Sequence, residues 1–164
     1  MARAKKTTTA AAKTTKAKAP KKVAAPKKVA APKGVDATKL VDALNADYAG
    51  ACKRQFEVGL QTEDLDTNVK RFFEDQLDSI KEGTFEYGRK FMTVGGKTHT
   101  ALQYEDPNGT TVVGFIDNKS GDLLQATDGK PGNASGYNVT NPDSLNKAVA
   151  QADWGANFIY SPQE

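Results

Sequence analysis

One cysteine and one histidine in 164 residues close off much of the usual site chemistry. Cys52 has no partner for an intramolecular disulfide and cannot build a thiolate metal cluster. With His99 alone, most zinc sites and most histidine-dependent catalysis are removed as well. No run approaches the ~18 apolar residues of a membrane span. The N-terminus is basic, but no apolar stretch follows it, so it does not read as a secretory signal. The expectation is an intracellular or virion-borne protein, not an enzyme, with no membrane span, no cofactor and no small-molecule substrate.

The first 34 residues lack more. They contain no carboxylate, no aromatic, no Leu and no Ile. What they hold is Arg3 and ten lysines: Lys5, Lys6, Lys13, Lys16, Lys18, Lys21, Lys22, Lys27, Lys28 and Lys33. The segment thus carries +11, which leaves 12 basic against 20 acidic residues in 35–164, a net of −8. The overall +3 describes neither part. Such asymmetry marks an arm for nucleic acid or for an oppositely charged surface. With so little apolar surface to bury, the segment cannot offset a backbone ordering cost of ~1–2 kcal/mol per residue. It is expected to stay extended or disordered.

A short repeat runs through it: Ala19-Pro20-Lys21-Lys22-Val23-Ala24 returns as Ala25-Pro26-Lys27-Lys28-Val29-Ala30, and Ala31-Pro32-Lys33 begins it again. Prolines six apart interrupt any helix. They favour an extended chain, which at ~3.1 Å per residue reaches on the order of 100 Å. An acid-free array of ammonium groups binds phosphates by releasing their counterions. It has no rigid frame for base readout and no aromatic platform for stacking. Binding to nucleic acid is expected to be sequence-blind and steeply salt-dependent. A solubilising tail, an import-like Pro-Lys-Lys-Val string, and an arm lying along an acidic protein surface are the other readings.

Residues 35–164 read as one small acidic α+β domain. Leu40, Val41, Leu44 and Tyr48 predict a helix over 35–51, opened by Asp36 as N-cap. A second helix is predicted over 64–82, with Leu65, Val69, Phe72, Phe73, Leu77 and Ile80 as its apolar stripe and Gly83 as C-cap. Strands follow over 85–94, 98–104, 111–117 and around Leu123 and Leu124. Gly95-Gly96, Pro107-Asn108-Gly109 and Asn118 to Gly121 are the expected turns. Residues 126–137, rich in Gly, Asn and Asp, read as a loop. Asn141-Pro142 opens a last helix with Leu145, Ala148, Val149 and Ala152 inward. Phe158-Ile159-Tyr160 ends the chain as a short strand or packed coda. The predicted architecture is two N-terminal helices, an antiparallel meander of about four strands and a C-terminal helix.

Motifs with chemical promise mostly have plainer explanations. Gly95-Gly96-Lys97-Thr98 resembles the end of a phosphate loop, but Phe91 stands where the leading glycine belongs and strand alternation follows. It reads as a hairpin turn. Asp117 to Asp122 is similar to a calcium loop, yet Lys119 occupies a ligand position and Asp128 replaces the bidentate Glu. A turn held by Asp and Asn side chains is the reading. His99 reads as structural. Cys52, with Lys53 and Arg54 beside it, reads as a buried helix thiol. Four strings match the glycosylation acceptor, at Asn108, Asn118, Asn133 and Asn138, and reflect loop composition. Trp154, worth ~150–250 Å² of burial, is expected in the core, with a binding aromatic as the alternative.

Two resemblances add to this. The Lys/Ala/Pro arm resembles the extensions of linker histones and of histone-like proteins of bacteria and large DNA viruses. The rest does not look like a winged-helix linker-histone core. Residues 87–160 resemble small, largely uncharacterised proteins of tailed phages and large algal DNA viruses. Gly88-Arg89-Lys90-Phe91-Met92, the string from Gly114 to Asp122, Ala152-Asp153-Trp154 and Phe158-Ile159-Tyr160 carry it. Ala126 to Gly132 departs from it, lacking the tryptophan such proteins carry after the fourth strand. The resemblance implies a viral origin and supplies no catalytic residue.

The expected function is therefore a non-enzymatic virion protein, a minor capsid or packaging-associated component. Its arm would meet packaged DNA or acidic capsid surfaces while the domain docks on other virion proteins. It would reside in the virion and inside the infected cell, the nucleus included. The alternative is a histone-like, sequence-nonspecific DNA condenser, against which the −8 of the domain stands.

Overall fold

A series of residues four apart (Leu40, Leu44, Tyr48, Cys52, Phe56) writes one stripe along a helix, and that stripe sets the helix's length. In the computed structural model, which describes residues 35–161, α1 runs Thr38–Gly59. This is eight residues past the expected end at Ala51, because Cys52 and Phe56 continue the buried stripe through Gly50 to Gly59. Asp36 stands one residue before the cap, Ala37, and its carboxylate accepts from Thr38 N–H at 3.0 Å. Hydrogen bonding from Thr38, its backbone N–H first, holds the Asp36 carboxyl below its ordinary range.

Helix α2 spans Thr67–Glu82 and starts three residues later than expected. Asp64 has a left-handed φ of 60°, and Asp66 is the cap, accepting from Asn68 and Val69 N–H at 2.8 and 3.3 Å. Gly83 closes the helix at φ 72°, as expected. The apolar stripe is present, but none of α2 is fully buried, and Val69 and Phe72 are exposed. Phe72 and Phe73 lean on Phe56 of α1, with ring centroids 6.1 and 5.4 Å apart. The α1–α2 pairing is α2's principal contact with the rest of the molecule.

Five strands, one more than expected, form an antiparallel meander in chain order: β1 (Lys90–Gly95), β2 (His99–Asp106), β3 (Gly109–Asp117), β4 (Asp122–Thr127) and β5 (Lys130–Asn138). The fifth is built from residues whose composition reads as loop. Asp128 and Gly129 both take left-handed φ (51° and 71°), the pair a tight primed hairpin turn requires, and Thr127 pairs with Lys130 across it. Ser135, Tyr137 and Val139 then alternate inward. Pro131 is tolerated because β5 is an edge strand, and two register shifts mark irregular pairing with β4.

The first hairpin also turns elsewhere than Gly95-Gly96. Gly96 N–H donates to His99 O at 2.9 Å, so Lys97-Thr98 forms the tip. Asn118 from the β3–β4 turn fixes this arrangement: its side-chain amide donates to Gly96 O and its backbone N–H to Thr98 O, each at 3.0 Å. The turns at Pro107-Asn108 and from Asn118 to Gly121 fall where the sequence puts them.

Helix α3 (Pro142–Gln151) opens as expected, with Asn141 accepting from Asp143 and Ser144 N–H. A short 3-10 turn, Asn157–Ile159, ends the chain as a packed coda, the second of its two readings, and not as a strand. The core joins α1, α3 and the sheet: Leu40, Leu44, Phe91, Leu102, Ile116, Leu123, Ala148 and Ile159 are all essentially inaccessible. Trp154 is not among them; it is 40% exposed. Phe158 and Ile159 fill the space instead. The Asp153 carboxylate gathers the backbone of Gly155 and Phe158 and the Asn157 amide, folding the chain so that Trp154 stays at the surface.

Candidate functional site

The cations singled out as the polyanion arm, Arg3 through Lys33, lie outside the described residues. Within 35–161, several motifs resolve as local structure. Both sides of Gly95-Gly96-Lys97-Thr98 are antiparallel strands, with no helix to receive a phosphate. Asp117 accepts from Lys119 and Ser120 N–H (2.8 and 2.9 Å), and these bonds, ahead of His99, hold its carboxyl below the ordinary range. Asp122 is taken by Ser120 Oγ and the Asn138 amide at 2.7 and 2.8 Å. His99 Nε2 lies 3.6 Å from Asp117 Oδ2, and its Nδ1 is 3.0 Å from Thr98 Oγ1, which makes it a tie between two turns. Cys52 is buried in α1. Among the described residues no three His, Cys, Asp or Glu side chains are grouped as a metal site.

A different corner is chemically richer. Asn45 of α1 bonds both backbone groups of Phe91, accepting from its N–H at 2.8 Å and donating to its carbonyl at 3.1 Å. That clamp sets the start of β1 against α1. Asp47 accepts from Trp154 N–H at 2.9 Å, fixing the chain after α3 against the same helix. Tyr48, one turn below Leu44, meets Trp154 edge-on at 6.2 Å and Phe85 at 6.3 Å. Gly88, at φ 78°, passes directly over the Tyr48 hydroxyl, where no side chain would fit. Burial and Cys52 push the Tyr48 hydroxyl above its ordinary value of 10.0, against the pull of Arg89.

Arg89 follows at once, its guanidinium 4.2 Å from the Tyr104 ring centroid and 5.0 Å from that of Trp154. Beside it opens a cleft of ≈ 350 Å³ walled by Tyr48, Ile80 and Phe85, with Asn45, Arg89 and Lys90 as polar lining. Lys90 pairs with Glu86 at 3.6 Å. Trp154 is legible in the sequence as a core aromatic or a binding one, but its contact with Arg89 is not, since 65 residues separate them. The one available signal was local: a glycine ahead of two cations, just before a strand.

Other residues distant in sequence also meet. Arg89 stacks with Trp154; Ile159 packs on Gly114, where a Cβ would stand 3.1 Å from its Cδ1. The Tyr160 hydroxyl accepts from Ala126 N–H (3.3 Å) and lies 3.1 Å from the Val113 carbonyl, to which it donates. No family model matches the chain, and no curated protein or solved structure matches it either.

Proposed function

We propose that this is a non-enzymatic virion protein, a minor capsid or packaging-associated component. Its acidic domain docks on other virion proteins, and its basic arm contacts packaged DNA or acidic capsid surfaces. The observation that carries this reading is the division of charge within one chain, +11 in residues 1–34 against −8 in 35–164. A dedicated DNA condenser is repelled by its own substrate if most of its mass is acidic, whereas a docked domain that extends an arm is not. The viral part of the reading is supported by the resemblance over 87–160 alone.

A salt titration of duplex-DNA binding tests the arm, using the full chain and a variant with Lys21, Lys22, Lys27 and Lys28 changed to Ala. Each phosphate neutralised adds about −0.9 to the slope of log affinity against log salt. The parent slope is expected to be as steep as about −10, and the variant's to be shallower by about 3–4. No binding at physiological salt removes the DNA contact and leaves an acidic protein surface as the arm's partner. Compaction of naked DNA by the chain alone favours the histone-like alternative. Absence of the chain from purified particles overturns the virion reading altogether.

A further inference from the structure

We propose that the cleft beside Arg89 binds a peptide carboxylate carried next to a large apolar side chain. The starting point is an arginine out of keeping with its neighbours. Of the lysines and arginines among the described residues, Arg89 alone is not exposed. An exposed cation is solvated and needs no partner, but Arg89 lies half-buried over two aromatic rings. Those rings stabilise its charge through their faces and satisfy none of its five N–H donors. No described carboxylate comes within ion-pair distance of it, although the domain is strongly acidic. Fully buried side-chain nitrogens without a partner are absent among the described residues, so the unmet donors of the fork are open to solvent, and Arg89 is one of the residues that line the cleft.

Size and charge narrow the ligand. At ≈ 350 Å³ the cleft sits at the small end of ligand pockets, which run ~300–1,000 Å³. That is room for one side chain and an acid group. Tyr48, Ile80 and Phe85 offer an apolar wall, while the ionised groups at the mouth are Arg89, Lys90 and Glu86. Because Glu86 neutralises Lys90, the mouth presents one net positive charge, suited to a single carboxylate and poorly suited to a doubly charged phosphate. A planar fork held by stacking is preorganised for a bidentate carboxylate, which a lysine in its place is not. The proposal deepens the docking half of the reading above. It rests on that reading only for where the peptide comes from, since the cleft chemistry uses no residue of the arm.

The test is an NMR titration of the isotope-labelled full chain, following the Trp154 indole N–H and the Arg89 side-chain N–H. Three probes are compared: N-acetyl-leucyl-phenylalanine, its C-terminal amide, and phenyl phosphate. The free acid is expected to shift both signals saturably, with the amide at least about tenfold weaker. Arg89→Lys, which keeps the charge and loses the fork, is expected to weaken the acid by about tenfold or more. Trp154→Ala, a surface change, is expected to keep the folded spectrum and also to weaken binding. If Arg89→Lys disturbs the fold, the acid-to-amide ratio on the parent chain decides. Equal response to acid and amide, a tighter response to phenyl phosphate, or no saturable shift by about 10 mM overturns the proposal. The DNA titration is unaffected by any of these outcomes, so failure here is distinguishable from failure of the arm.

Discussion

Tyr48 shows how one side chain ties stability to the candidate site. Its hydroxyl is held neutral by burial and by Cys52, with a pKa above the ordinary 10.0. For a group raised in this way, the folded state gains stability that is complete below the unfolded value. It is lost as pH climbs through the folded one, because the unfolded chain ionises first. Thermal melts across about pH 9–11 are expected to show a fall that Tyr48→Phe makes shallower. Asp36 and Asp117 have the opposite sense: their carboxyls are depressed by backbone N–H donors, so their contribution is present above the unfolded value of 3.8 and fades as pH falls. Little of this was visible in the sequence. Tyr48 could be read as an inward position of α1, but Gly88 over its hydroxyl and Trp154 at its edge come from 40 and 106 residues away. The size of Trp154 favours the core over a binding role, whereas its surface position is fixed by the Asp153 turn and by the bond of its N–H to Asp47, 107 residues away.

The elements are legible in proportion to how local their causes are. Gly83, Asn141-Pro142 and Asn118 to Gly121 were readable because each is decided within a few residues, whereas the N-caps of α1 and α2 and the first hairpin turn fall one or more residues away from where the sequence puts them. The length of α1 was not, because Gly50 and the Lys53-Arg54 pair obscure a stripe whose meaning comes from the docking of α2. Strand β5 was hidden by its glycines and Pro131, which an edge position tolerates and a central one does not. The stripe of α2 was correctly seen, yet its burial was not readable, since amphipathic pattern does not say how completely a face is covered. This difference has a measurable consequence. Leu44→Ala, inside the fully buried core, is expected to lose about 2–5 kcal/mol, while Phe72→Ala, on the partly exposed hairpin, is expected to lose well under half of that. Denaturant unfolding of the two variants checks the ordering. Equal losses mean that α2 is as integral to the fold as the sheet.

At the scale of the whole molecule, two kinds of contact are assigned to separate stretches of chain. The contact proposed for the arm is electrostatic and long-range, so it would weaken with each step in salt. The contact proposed for the cleft is short-range and partly desolvated, so it is expected to be less sensitive. Arg89→Met should therefore leave the salt slope of DNA binding unchanged while abolishing the acid-peptide response. Replacing arm lysines should do the reverse. Both assays on both variants check this, and cross-talk between them means that arm and cleft compete for one surface. The clamp of Asn45 on Phe91 has a further bearing, on how one copy of the chain meets another. A meander leaves two open sheet edges, each a template on which an identical chain can extend the ladder. Here the amide of Asn45 occupies both backbone groups of Phe91 on the first edge, and Pro131 withholds an N–H on the second. Each edge is thus broken at one point, Phe91 on β1 and Pro131 on β5, which makes it a poorer template for a second copy than an edge with every donor and acceptor free.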